Sequence, residues 1–379
     1  MRKTLFSVLP LLVLLGPSYA RLTSFFGLLS FAPTAARVEP DYLRSPSANP
    51  AAERMRARVR QARSVLEQLP ADTKETLNVV TLAVGDADGR VQTLKVSKEE
   101  FLKKGNTLAL NSSDGEALRL TVVRPNYVNT AVRVADASGR ELQPLVVRYP
   151  VEDGGKLKEV AYYTSAHPSV ESPEIVRAGR DYVHEKLNDA VVRLASKGET
   201  ISPAVVDVAE RLCVVEHTDH KRYMNEASAP LFEEVRALYA LNSGDTYRYS
   251  VSTAGAGGMV QMIPPTYKAV REQHPSARLR EDFVEGMRDH SNALEAMLLY
   301  MQDTWDYLSK QDEVTAALAN GQATQPELLA AGYNSNPRRL PKYLREGGNG
   351  WRALIPEETK MYLRIYSSVE QSVDFKNRS

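Results

Sequence analysis

The stretch Ser252-Thr253-Ala254-Gly255-Ala256-Gly257-Gly258-Met259-Val260-Gln261-Met262-Ile263-Pro264-Pro265-Thr266 organises the reading of this 379-residue chain. Gly255, Gly257 and Gly258 let the backbone approach a ligand closely and take positive φ, and Gln261 offers an amide that both donates and accepts hydrogen bonds. A glycine-rich loop also suits phosphate, but no Gly-Lys-Ser/Thr ending follows, which excludes a P-loop. A sugar site fits the residues better.

Working outward, the chain reads as helical from Pro168 nearly to its end. Residues 173 to 196 predict one helix. Ser202-Pro203 then supplies an N-cap and a first-turn proline, and Val205, Val208, Leu212 and Val215 recur at three- and four-residue spacing. That helix delivers Glu216 at its C-terminal end, in Cys213-Val214-Val215-Glu216-His217. A carboxyl at the end of an apolar helix is readily held with a raised pKa, which suits a general acid. Asn242-Ser243-Gly244-Asp245 lies just before the glycine loop and makes Asp245 the rival acid.

The glycine stretch resembles the signature of the lytic transglycosylase family of the lysozyme superfamily, with Val260 where that family usually has methionine. Two further motifs follow in the family's order. Ala331-Gly332-Tyr333-Asn334-Ser335-Asn336-Pro337 looks like its Ala-x-Tyr-Asn-x-Gly-Pro segment, and Pro356-Glu357-Glu358-Thr359-Lys360-Met361-Tyr362 like its closing Pro-x-x-Glu-Thr-x-x-Tyr. The helical segment 288 to 308, with Asn292 near its start, sits where the family has an Asn-led helix. The resemblance covers about residues 200 to 370. It departs from the pattern beside the glycine loop, where the family keeps a Glu-Ser pair. Placing the acid at Glu216 implies an insertion from His217 to about Tyr249, holding an extra helix over 229 to 241, and puts His217 where the family has serine.

The resemblance implies a peptidoglycan lytic transglycosylase that cleaves the MurNAc-GlcNAc bond and leaves anhydromuramoyl ends, with no cofactor. Glu216 would be the single acid/base and Tyr333 its orienting hydrogen-bond partner. Ser252, Gly255, Met259, Gln261 and Asn334 would form the substrate site, Asn334 mainly by supporting its loop. Ordinary glycosidases need a second carboxylate and substrate-assisted ones do not. A non-catalytic peptidoglycan-binding or scaffold protein with a degenerate cleft, and a muramidase hydrolase, are the alternative readings. His217, Asp219 and His220 sit too close together on one turn to be read as a zinc site.

The N-terminal half has another character. Residues 1 to 20 (MRKTLFSVLPLLVLLGPSYA) carry the basic, apolar and small-x-small regions of a signal peptide, with cleavage as late as residue 36 as the other expectation. Export to the periplasm or cell envelope follows. Residues 37 to 74 read as a linker and a basic helix over 51 to 68, with Arg54, Arg56, Arg58, Arg60 and Arg63 on a solvated face. From 75 to 165, β-branched runs at Leu77–Val84, Val91–Val96, Leu118–Val123, Thr130–Val134 and Leu145–Tyr149 predict strands, separated by Asp88-Gly89, Asp114-Gly115 and Ser138-Gly139 turns. This part holds no metal cluster or nucleophile motif and reads as an accessory module, open to cell-envelope protein partners. Lys and Arg total 48 against 47 for Asp and Glu, a balance that excludes a nucleic-acid surface spread over the whole molecule. Cys213 is the lone cysteine, so no internal disulfide forms and the fold stands on its core. The expected class is α+β: a mainly α, lysozyme-like catalytic domain at 170–375 after a small β-rich domain.

Overall fold

The computed structural model describes residues 50–70 and 77–378, and residues 47–379 belong to one compact unit. The expected leader and most of the expected linker lie outside the described residues. Among the described residues no helix is long and apolar enough to cross a membrane.

The chain is mixed α and β, with a barrel-like sheet followed by a helical part. Helix α1 (Pro50–Glu67) comes first. Strands β1 (Val79–Gly85), β2 (Val91–Ser97), β3 (Thr107–Asn111), β4 (Ala117–Arg124), β5 (Ala131–Asp136), β6 (Glu141–Asp153) and β7 (Lys156–Tyr163) follow, with the single turn α2 (Lys98–Phe101) after β2. They pair antiparallel in the order β2-β1-β6-β5-β4-β3. The 13-residue β6 spends its start on β5, its middle on β1 and its end on β7. Ser113 N donates to Thr93 O at 2.9 Å, tying the β3–β4 turn back to β2 and curling the sheet.

Two strands exceed the sequence expectation for identifiable reasons. β3 is short and never fully buried, so it lacks an apolar stripe, and β7 begins Lys-Leu-Lys-Glu, where charges mask the alternation. β1 reads as a continuous apolar run because both of its faces are covered. Val80, Leu82 and Val84 fill the barrel interior with Leu94, Phe101 and Leu120, while Ala83 faces Ala52, Ala62 and Leu66 of α1.

Helix α1 therefore corrects one expectation: its basic residues are not simply a solvated face. Arg58 Nη2 donates to Asp86 O at 2.6 Å and Arg56 Nε to Ala240 O at 3.2 Å, and Arg63 pairs with Asp245 at 3.3 Å. Arg54 and Arg60 remain exposed. Arg56 and Arg63 are two helical turns apart and so share a face, which is the face that docks.

The helical part comprises α3 (Pro173–Ser196), α4 (Pro203–Val215), α5 (His220–Asn225), α6 (Ser228–Leu241), α7 (Pro264–Gln273), α8 (Phe283–Arg288), α9 (His290–Leu308), α10 (Asp312–Ala319), α11 (Gln325–Asn334), α12 (Leu340–Gly347) and α13 (Glu357–Ser372). α4 is the central member, packed against α3, α6, α9, α11 and α13. Ten of its thirteen residues are buried, including Cys213, whose thiol is pushed up by burial. α5 and α6 lie within the expected insertion, which is folded. α6 faces two ways: Phe232 and Val235 join the helical core, whereas Leu238 packs into the barrel cluster. Arg124 at the end of β4 pairs with Glu234 of α6 at 2.6 Å, so the barrel and the insertion are also linked by charge.

Candidate functional site

Glu216 caps the C-terminus of α4, where its backbone N–H donates to Leu212 O at 2.9 Å. The side chain is half-buried and opens on a cavity of about 500 Å³. Burial pushes its carboxyl up to about 8; a hydrogen bond from Tyr362 opposes that shift and the nearby Glu358 charge adds to it. The carbonyl end of the α4 dipole also disfavours an anion there. At neutral pH Glu216 is accordingly a protonated carboxyl facing a cavity, which is the state a proton donor requires.

The hydrogen-bond partner differs from the sequence expectation. Tyr362 Oη donates to Glu216 Oε1 at 2.5 Å, whereas Tyr333 Oη donates to Val260 O at 2.6 Å. Tyr333 remains close enough for the Glu216 charge to raise its own phenol, so both rings belong to the site. The sequence signal for Tyr362 was present as the last residue of the closing motif. The physical reason it wins is position: Tyr362 is buried on α13, which packs directly on α4, while Tyr333 on α11 meets the exposed carbonyl of the glycine loop.

His217 and Tyr333 together fasten that loop beside Glu216. His217 Nε2 donates to Met259 O at 2.9 Å, and its ring stacks on Tyr247 with centroids 3.4 Å apart and planes 8° from parallel. Burial pushes the imidazole down to about 3, so it is neutral, and the carbonyl partner assigns the proton to Nε2. Asp219 caps α5 by accepting from Arg222 N at 2.8 Å. The residues that looked ligand-like in sequence are thus turned to structural tasks.

The other expected site residues divide. Gly255, at φ 78°, lines a second cavity of about 860 Å³ together with Gly257 and Gly258. Gly258 has φ 67°, and a Cβ there would stand 2.2 Å from Met287 O, so glycine is required for the loop to lie on α8. Ser252 is exposed and its Oγ accepts from Ala256 N at 3.0 Å. Gln261 Nε2 donates to Gly258 O at 2.8 Å and Ser250 Oγ at 3.2 Å, so this amide nitrogen braces the loop from inside. Met259 is fully buried in the helical core and touches no open surface, which corrects its expected place beside a sugar. Asn334 Oδ1 accepts from Thr359 Oγ1 at 2.8 Å, a bond that ties the second motif to the third.

Asp245 is not a competing acid in this arrangement. It pairs with Arg63 at 3.3 Å and Arg248 at 3.6 Å, beside α1. Of the other carboxylates lining the Glu216 cavity, Asp219 is the helix cap already described. Glu234 is held by Arg124 at 2.6 Å and Arg222 at 2.8 Å. No family model, curated protein or solved structure matches this chain.

Proposed function

We propose that the protein is an exported, lysozyme-like lytic transglycosylase acting on the glycan strands of peptidoglycan, with Glu216 as its acid/base. The observation that carries this reading is the protonated Glu216 carboxyl, held by Tyr362 at the edge of a cavity whose other carboxylates are occupied. One carboxyl suffices where the substrate assists. Glu216 gives its proton to the glycosidic oxygen as the bond to the anomeric carbon breaks, and the muramoyl N-acetyl oxygen bonds that carbon. The resulting carboxylate then takes the C6 hydroxyl proton as O6 attacks the same carbon and the N-acetyl group is restored. The product is an anhydromuramoyl end, formed without net addition of water.

The assignment of the glycine motif, the Tyr333 segment and the closing motif to one locus supports the reading. Their three contacts, His217 to Met259, Tyr333 to Val260 and Tyr362 to Glu216, join motifs more than 40 residues apart in the chain. Digestion of purified sacculi, with the muropeptides weighed, tests it. Anhydromuramoyl products are expected from wild type and from Asp245→Asn. Reducing ends instead would mean hydrolysis, and no release from wild type would leave a binding protein.

Tyr362→Phe gives a sharper measurement. The lost bond favours the carboxylate, so removing it raises the Glu216 pKa further. The alkaline limb of the kcat/KM profile should move to higher pH, while kcat falls about tenfold or more, as loss of a bond to a charged group predicts. An unmoved limb would show that Tyr362 does not act through Glu216.

A further inference from the structure

We propose that the β-rich part supplies a saccharide subsite, with Tyr127 stacking on a sugar ring and Asn129 hydrogen-bonding it, next to the Glu216 cavity. This rests on the reading of the substrate as a glycan.

The segment after β4 forms the wall opposite the helical part. Asn126, Tyr127 and Val128 line both the Glu216 cavity and the glycine-loop cavity, as do Tyr249 and Ser250 from the other side. The two cavities therefore meet at Tyr127, and a strand reaching from Glu216 toward the glycine loop passes it. Tyr127 is 70% exposed, unlike most aromatic side chains of the molecule, and presents an amphipathic ring at this junction.

Its backbone is held in a conformation that aromatic residues seldom adopt, with φ 44°. The fully buried Thr130 enforces it: Thr130 Oγ1 accepts from Asn126 N at 2.9 Å and donates to Tyr127 O at 2.8 Å. Strain maintained by a surrounding network, on a residue that gains no packing from it, marks a functional position. Asn129 adds an independent sign. It lines the Glu216 cavity, and its buried Oδ1 has no hydrogen-bond partner among the described residues. Buried polar atoms are nearly always paired, and a sugar hydroxyl is a fitting donor. The Arg124–Glu234 bridge, immediately before this segment, fixes the wall against α6. Such a wall combines one aromatic face with few polar groups, as ligand sites do.

The test uses the full chain carrying Glu216→Gln, so that ligand is not consumed, and soluble uncrosslinked peptidoglycan glycan strands graded by length. Tyr127→Ala should weaken binding of strands long enough to span both cavities by about five- to tenfold, and of a disaccharide less. Tyr127→Trp should stay within about twofold of the parent, since it keeps a stacking face. Asn129→Ala, which deletes an oxygen that packs against nothing polar, should also weaken binding while leaving the melting temperature unchanged. Equal affinity for all variants at unchanged melting temperature would overturn the subsite. If the Glu216→Gln protein binds no glycan and wild type cleaves none, the glycan reading itself falls and the subsite with it. Wild-type cleavage with an indifferent Tyr127→Ala removes the subsite alone.

Discussion

Glu216→Gln is expected to lower anhydromuramoyl release by about 10³-fold, within the range that positioned proton transfer contributes, while glycan binding persists. The amide keeps the size of the carboxyl and can still accept the Tyr362 hydrogen bond, so the α4 terminus should not rearrange. What it cannot do is give up a proton. In wild type, deprotonation of Glu216 near pH 8 removes the acid, and kcat/KM should decline above that point. Retention of wild-type rates by Glu216→Gln would place the chemistry elsewhere.

The same substitution carries a stability signature with a definite sign. The folded-state pKa of Glu216 lies near 8 and the ordinary value near 4.5, so between those values the folded protein holds a proton that the unfolded chain has released. Stability therefore falls as pH rises through that window, by at most about 1.4 kcal/mol per pH unit. The real slope is smaller because the carboxyl opens on a wet cavity. Glu216→Gln lacks this slope. Its melting temperature should match wild type near pH 4 and exceed it increasingly toward pH 8, as followed by circular dichroism. A constant difference across that range would contradict the raised pKa.

Gly179→Ala is the stability change with the largest expected cost. Gly179 is buried where α3 crosses α6, and a Cβ there would lie 1.7 Å from Arg236 O and 2.6 Å from Arg236 C. Alanine favours a helix by about 1 kcal/mol over glycine, which works the other way. Overpacking against backbone costs about 3 kcal/mol, and neither helix can yield by bending one side chain, so the clash wins. A net loss of about 2 kcal/mol should appear as a drop of several degrees in melting temperature. Because α6 carries Glu234 and Leu238 into the wall of the Glu216 cavity, activity should fall as well. An unchanged melting temperature would mean that α3 and α6 do not approach as described.

The close contact also explains what happened to the insertion. Residues 229 to 241 are legible as a helix from their apolar pattern, yet no pattern tells that one face serves the helical core and another the barrel. The burial that results makes the β-rich part a wall of the site instead of a separate accessory. The basic helix α1 was misread for a similar cause. Arginines are ordinarily solvated, and only the fold shows that Arg58 reaches the Asp86 carbonyl and Arg63 reaches Asp245. Met259 went the other way: its place in the glycine motif invited a ligand role, and three-dimensional packing buried it.

By itself the sequence determined the elements, the turns and the residue most suited to hold a proton, because these depend on neighbours within one helix or strand. The 3- and 4-residue spacing on α4 was enough to place Glu216 at a helix end, and the glycines marked a loop that backbone must approach. Tertiary structure alone decided that Tyr362 rather than Tyr333 holds that carboxyl, that His217 serves the Met259 carbonyl, and that Tyr127 stands at the meeting of two cavities. Each of those depends on groups between about 40 and 150 residues apart meeting in space. Hydrogen-bond partners and cavities are set by which faces pack together, and that choice is made by the whole core.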